Sequence, residues 1–124
     1  MIKEKERIIN QRLQQISIDQ EEKRQEICEL EELEADYFSI HYQEQRYYQE
    51  LIGNNQGSQF IDYFMELDDQ ANRLHQYERQ RLEDIAERLV DEEVQLRDRK
   101  EALFLERTRL FADKTVVEEN CYGY

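Results

Sequence analysis

His41 and His75 are the chain's two histidines, and imidazole is the side chain best suited to metal ligation or proton transfer near neutral pH. A carboxylate-bridged metal centre in a helical bundle draws on Glu-x-x-His pairs from facing helices. Three residues before His41 and His75 stand Phe38 and Asn72, so that pattern is absent at both sites. The histidines therefore read as polar residues beside a helical seam. Cys28 and Cys121 form no CxxC and read as separate thiols in a reducing compartment. Acidic residues number 30, but no glycine-rich loop, GxSxG or recognisable Cys–His spacing accompanies them. The Glu runs read as a solvated face. The expectation is a protein with no catalytic residue, no metal and no cofactor. One short pattern stands out, Phe64-Met65-Glu66-Leu67-Asp68, an aromatic-x-x-x-Asp spacing that is common in a helix rich in Tyr and Asp.

The elements that carry these residues are legible from composition and period. The chain has 124 residues, 38% charged and 39% hydrophobic, with a mean hydropathy of −1.03. That length allows one domain at most. A compact globule of this size carries a larger apolar share. High charge, strong helix formers and a narrow apolar stripe fit a long helical rod. The formal net charge is −13, with acids in excess in both halves. Such a chain is unsuited to neutralising phosphates or an anionic membrane surface. No apolar run approaches the ~20 residues of a membrane span, and the first residues do not read as a secretory signal.

There is no proline, and two of the three glycines, Gly53 and Gly57, lie in LIGNNQGSQF at mid-chain. The expected architecture is all-α: two long helices forming an antiparallel coiled-coil hairpin. Helix 1 covers about 2–52, the bend 53–57 and helix 2 about 58–115, making 1–115 a single hairpin, with a flexible tail at 116–124. Ser58 is the candidate N-cap of helix 2. In helix 1, Ile9, Leu13, Ile16, Ile27 and Leu30 follow 4–3 spacing. The apolar series then slips through Leu33, Tyr37, Ile40, Tyr47 and Leu51, as at a stammer. In helix 2, Phe60, Phe64, Leu67, Ala71 and Leu74 keep the spacing, and Leu82, Leu89, Leu96, Leu103 and Leu110 recur at heptad intervals. These leucines, with Ile9, Leu13, Ile16, Ile27, Leu30, Leu33, Ile40, Leu67 and Leu74, are the expected seam. Each helix needs a partner for its stripe, and the nearest is the other half of the chain. Folding about Asn55 sets residue i opposite roughly 110 − i. Tyr47 then meets Tyr63, Ile40 meets Ala71, and Ile16 meets Val94. Arg79 and Arg81 arrive opposite the acidic run from Glu26 to Asp36. An antiparallel dimer would bury the same stripes, so a homodimer in isolation is a second arrangement.

Eight of the aromatics, Tyr37, Phe38, Tyr42, Tyr47, Tyr48, Phe60, Tyr63 and Phe64, crowd the region around the bend. Two helices cannot bury all eight, and Tyr and Phe are enriched among interface anchors. Val90, Phe104 and Phe111 lie off the leucine stripe. The expected partner-binding residues are thus Tyr37, Phe38, Tyr42, Tyr48, Phe60, Tyr63, Phe64, Asp68, Val90, Phe104 and Phe111.

The acidic helical hairpin, the Gly/Asn bend with its aromatics, and the arm RLEDIAERLVDEEVQLRDRKEALFLERTRL resemble the small partner proteins of LXG toxins in the type VIIb (Esx) secretion system. The resemblance covers about residues 5–112 and lies in pattern and layout, since the bend has no Trp-x-Gly. It implies a non-enzymatic adaptor, or targeting chaperone, that binds the helical N-terminal domain of a toxin and directs it to the export machinery. A second small helical protein would be a further partner. It also implies a cytoplasmic location, with co-export left open. Phe64 and Asp68 match the family's Phe-x-x-x-Asp export spacing, though early in helix 2. A flagellar or type III export stalk protein and a generic coiled-coil subunit are the alternative readings.

Overall fold

The computed structural model describes the backbone of residues 1–122 and the side chains of residues 1–115. It contains two long helices, α1 (Ile2–Asn54) and α2 (Ile61–Tyr122), packed against each other as an all-α helical hairpin. α2 continues past 115, where the apolar pattern fades. Gly123 and Tyr124, the end of the expected tail, lie outside the described residues. Among the described residues no helix is long and apolar enough to cross a membrane.

The bend is displaced from its expected place, for a local reason. α1 continues through Gly53 and Asn54. An interior glycine costs a helix only about 0.5–1 kcal/mol, which the rest of the helix absorbs. The chain turns at Gly57, whose φ of 80° is a left-handed conformation that favours glycine. Asn55 donates from its side-chain amide to the Leu51 carbonyl at 2.7 Å, satisfying one of the acceptors left open at a helix end. Ser58 supports the other side, its hydroxyl accepting from the Phe60 amide at 3.2 Å. Its carbonyl accepts from Ile61 at 3.2 Å. Ser58 thus serves the entry to α2, which begins at Ile61 and not at 58.

Contacts divide the molecule into two compact units. The terminal unit joins Met1–Glu26 to the chain from Leu89 onward, and the bend unit is Ile27–Arg88. The terminal unit holds most of the well-buried residues: Ile9, Leu13, Ile16, Leu89 and Leu96, with Ile9 only 2% exposed. Leu103 and Leu110 are half-buried beside them. Burying such side chains contributes about 1.5–3 kcal/mol each, an upper bound because unfolded chains are partly compact. Polar groups lace the edges of this seam. The Lys23 ammonium binds the Glu92 carboxylate, which, ahead of the opposing effect of burial, holds the lysine pKa above its usual range. Lys100 donates to Gln20 at 3.4 Å and Arg107 to Asn10 at 3.3 Å.

In the terminal unit the leucine row keeps one face while its neighbours change. Glu92, half-buried, follows Leu89 by three residues; Lys100, Arg107 and Lys114 follow Leu96, Leu103 and Leu110 by four. The steps from 92 to 96 and from 96 to 100 are both four residues, a single stutter in an otherwise alternating series.

In the bend unit only Leu30 is counted in the buried core. The expected slip in α1 does not occur. Buried and half-buried positions run through Ile27, Leu30, Glu34, Tyr37, His41, Glu44, Tyr48 and Leu51, an unbroken alternation of three and four. Leu33, Ile40 and Tyr47 point outward, at 57%, 62% and 60% exposure. In α2, Leu74 is likewise outside the seam, where His75 stands instead. The apolar series and the buried series part company because Glu34, His41, Glu44 and His75 take seam positions in the bend unit.

The register is also shifted. In the terminal unit Lys23 meets Glu92, Gln20 meets Lys100 and Asn10 meets Arg107. In the bend unit Tyr37 and His41 meet His75, and Phe38 meets Arg79. Paired numbers total between 112 and 120, against the expected 110. The bend lies later in the chain than Asn55, so the pairings move along α2 by two to ten residues. Arg79 consequently lies over the Phe38 ring, 5.7 Å from its centroid. Arg81 reaches Glu78 of its own helix at 4.0 Å.

Candidate interaction surface

The eleven residues expected to bind a partner divide three ways in the structure. Tyr37, Tyr48, Phe64 and Asp68 are half-buried along the bend unit seam. Phe38, Tyr42, Phe60 and Tyr63 are exposed in the same unit, and Val90, Phe104 and Phe111 are exposed in the terminal unit. Phe104 is flanked by cations, with the Arg107 guanidinium 4.9 Å and the Lys100 ammonium 6.0 Å from its ring centroid. Such cation–π contacts contribute about 0.5–1 kcal/mol at exposed sites and tie this ring to its own helix.

Tyr37 is drawn inward by a polar cluster. Its hydroxyl lies 2.6 Å from His75 Nδ1 and 3.3 Å from the His75 carbonyl oxygen. His75 Nε2 lies 2.8 Å from Glu44 Oε2. A carboxylate only accepts, so Nε2 carries the proton and donates to Glu44. In the neutral ring, Nδ1 then accepts the Tyr37 proton. The His41 ring sits against His75, centroids 3.8 Å apart at a 57° tilt, and stacks on Tyr37 at 6.3 Å. His41 Nδ1 is buried without a hydrogen-bond partner. Burial, and secondarily the neighbouring His75, hold His41 below its usual pKa of 6.5. Burial likewise raises the Tyr37 phenol above 10.0. Tyr37, His41 and His75 open onto a shallow recess shared with Gln45, Asn72, Gln76 and Arg79. Among the described residues no group of three or more His, Cys, Asp and Glu is arranged to hold a metal ion. What the cluster does in this geometry is fix alignment. A polar layer inside a seam is satisfied in one register and penalises the others.

The two sides of the bend unit seam differ sharply. In an antiparallel helix pair, residues just before the seam positions Glu34, His41 and Tyr48 of α1 share a side with residues just before Ile61, Asp68 and His75. Residues four after those positions share the other side. The second statement is visible directly in the contact between Phe38 and Arg79. That side carries Phe38, Met65, Gln45, Asn72 and Arg79, and it holds the polar recess. The first side carries Leu33, Ile40 and Tyr47 from α1, and Phe60, Leu67 and Leu74 from the bend and α2. All of these except the half-buried Leu67 are exposed. Tyr63 and Tyr77, also exposed, lie on its outer margin.

Leu33, Ile40 and Leu74 therefore move from the seam to the surface, and Tyr47 and Tyr77 join them. The sequence held a signal for this. Leu33, Ile40 and Tyr47 are spaced by seven, a second stripe beside the first. Compared with known proteins, the chain matches no family model, no curated protein and no solved structure.

Proposed function

We propose that this chain is a non-enzymatic adaptor that captures a helical domain of a larger protein, in the manner of the small helical partners of LXG toxins in type VIIb secretion. One observation carries the reading. The bend unit places large apolar side chains outside its seam, in two rows on one side, while Glu34, His41, Glu44 and His75 take places within the seam. Contiguous apolar surface on a small protein marks an interaction site. Aromatic residues within it are typical anchors of such sites. The resemblance in layout supplies the class of partner, the helical N-terminal domain of a secreted toxin. Phe64 and Asp68 retain the export-motif spacing, yet both are half-buried in the bend unit. An export receptor would read them only after the seam opens locally.

The test is co-expression of the full chain with the N-terminal domain of an LXG toxin from the same genome, followed by affinity purification and size-exclusion chromatography. A stoichiometric complex is the expected result. A chain that fails to retain the LXG domain, yet binds an export ATPase, would replace this reading with the stalk-protein alternative.

A further inference from the structure

The apolar side of the bend unit has a shape and a charged border that select its occupant. Its rows follow two antiparallel helices, with residues spaced by seven in each. Seven residues of helix advance about 10 Å, which is two turns of any α-helix laid alongside. From Leu33 to Tyr47 the α1 row extends about 21 Å at 1.5 Å per residue. A shallow trough of this period fits one amphipathic helix, whose apolar stripe would complete a three-helix layer.

The α1 border of the trough is acidic. Along it, beside Leu33, Ile40 and Tyr47, stand the exposed Glu29, Asp36, Gln43 and Glu50. The opposite margin on α2 carries Tyr63, Gln70 and Tyr77, with Asp84 at its far end. A second copy of this chain, itself at net charge −13, would bring its own carboxylates to that margin. An anionic membrane or nucleic acid meets the same repulsion.

We infer that the paired rows Leu33–Ile40–Tyr47 and Phe60–Leu67–Leu74 dock one amphipathic partner helix whose apolar stripe is flanked by Lys or Arg. The inference rests on the adaptor reading and deepens it by naming the face and the chemistry of the captured segment. The stripe supplies affinity through apolar burial. The basic flank supplies orientation, because it must lie along α1 and not along the tyrosine-bearing margin of α2. Electrostatic complementarity of this kind acts chiefly on specificity and association rate.

The experiment uses the full chain and three synthetic helical peptides of equal length. One has a Leu stripe flanked by Lys, the second the same stripe flanked by Glu, and the third Lys flanks around an Ala and Gln stripe. Binding is followed by fluorescence anisotropy at near-physiological salt. The expected result is measurable affinity for the Leu/Lys peptide alone. Ile40→Asp and Leu74→Asp, each at an exposed position, should weaken it at least tenfold while the circular dichroism spectrum stays helical. Gln49→Asp, exposed on α1 and outside the two rows, should leave it within twofold. Asp36→Lys with Glu50→Lys should transfer preference to the Leu/Glu peptide.

Equal binding of the Leu/Lys and Ala/Lys peptides would reduce the effect to bulk charge and overturn the docking face. So would full affinity in Ile40→Asp and Leu74→Asp. A wild-type dimer in sedimentation that dissociates on Ile40→Asp would show that a second copy covers the face. Peptide discrimination without LXG capture would keep the face and remove the toxin reading. LXG capture by Ile40→Asp and Leu74→Asp at wild-type affinity would do the reverse.

Discussion

The Tyr37 hydroxyl meets His75 Nδ1 at 2.6 Å across the bend unit seam, at a layer where a coiled coil ordinarily places two aliphatic side chains. The pair is extended by Glu44 on the other ring nitrogen of His75. A misaligned hairpin would strand these groups. Tyr37→Phe should cost about 1 kcal/mol, the lower end of the penalty for leaving a polar partner unsatisfied, because the site is half-buried. Urea denaturation measures it. Tyr37→Phe with His75→Leu removes both partners and should recover most of the loss. If the double variant is as unstable as the sum of the singles, the contact is not what aligns the helices.

His41 makes the bend unit sensitive to acid. Its folded pKa lies below 6.5, first through burial and then through the neighbouring His75, with Glu44 opposing and Arg79 adding to the shift. Between the folded value and 6.5 the unfolded chain binds more protons. Stability is therefore complete above the unfolded pKa and declines as pH falls through 6.5 toward the folded value. The urea midpoint should drop between about pH 7.5 and pH 5.5, and His41→Leu should flatten that profile. An unchanged slope in the variant would assign the acid sensitivity elsewhere.

The two bend glycines should respond to alanine with opposite signs. Gly53 is helical and a Cβ there would meet nothing within 4 Å. Gly53→Ala should stabilise by about 0.5–1 kcal/mol. Gly57 has the same open surroundings but a φ of +80°. Gly57→Ala should destabilise by about 1–2 kcal/mol through backbone strain alone. Thermal melts of the two variants decide whether Gly57, and not Gly53, makes the turn.

The all-α hairpin was legible in the sequence because helix propensity, absence of proline and the leucine heptads of α2 all agree. The terminal unit core followed from Ile9, Leu13, Ile16, Leu89 and Leu96 for the same reason. The bend unit misled because tracing apolar residues presumes an apolar seam. Leu33 and Ile40 continue the stripe by type, whereas Glu34, Tyr37, His41 and Glu44 continue it by spacing, and packing follows spacing. Polar atoms tolerate that position only because they find each other across the seam. That information lies in the pairing of distant segments and not in either segment alone. The register erred through the glycines. Gly53 and Gly57 look alike as breakers, although only the second adopts a conformation that an interior helix forbids.

Register can be measured directly. With Cys28 and Cys121 replaced by Ser, spin labels at positions 10 and 107 should lie about 10 Å apart, the packing distance of neighbouring helices. Labels at 10 and 100 should be about 10 Å further apart along the axis, since they differ by seven residues. A shorter 10–100 distance would mean that residue i faces 110 − i. Diluting labelled with unlabelled chain distinguishes a hairpin from an intermolecular bundle, because only the latter loses the short distance.

Leu96 and Leu33 are alike in the sequence pattern and unlike in the structure, which makes them a matched pair. Leu96 is buried in the terminal unit at 9% exposure, whereas Leu33 is more than half exposed. Leu96→Ala should cost about 2–3 kcal/mol, the transfer of the lost methyl groups plus the cavity they leave. Leu96→Asp adds an unpaired charge in an apolar site and should unfold the terminal unit. Leu33→Ala should fall within about 0.5 kcal/mol of wild type. Its effect belongs to recognition, since removing one residue from the α1 row should weaken Leu/Lys peptide binding without moving the urea midpoint. If Leu33→Ala destabilises the chain as much as Leu96→Ala, the second stripe is part of the fold after all, and the outward face would have to be withdrawn.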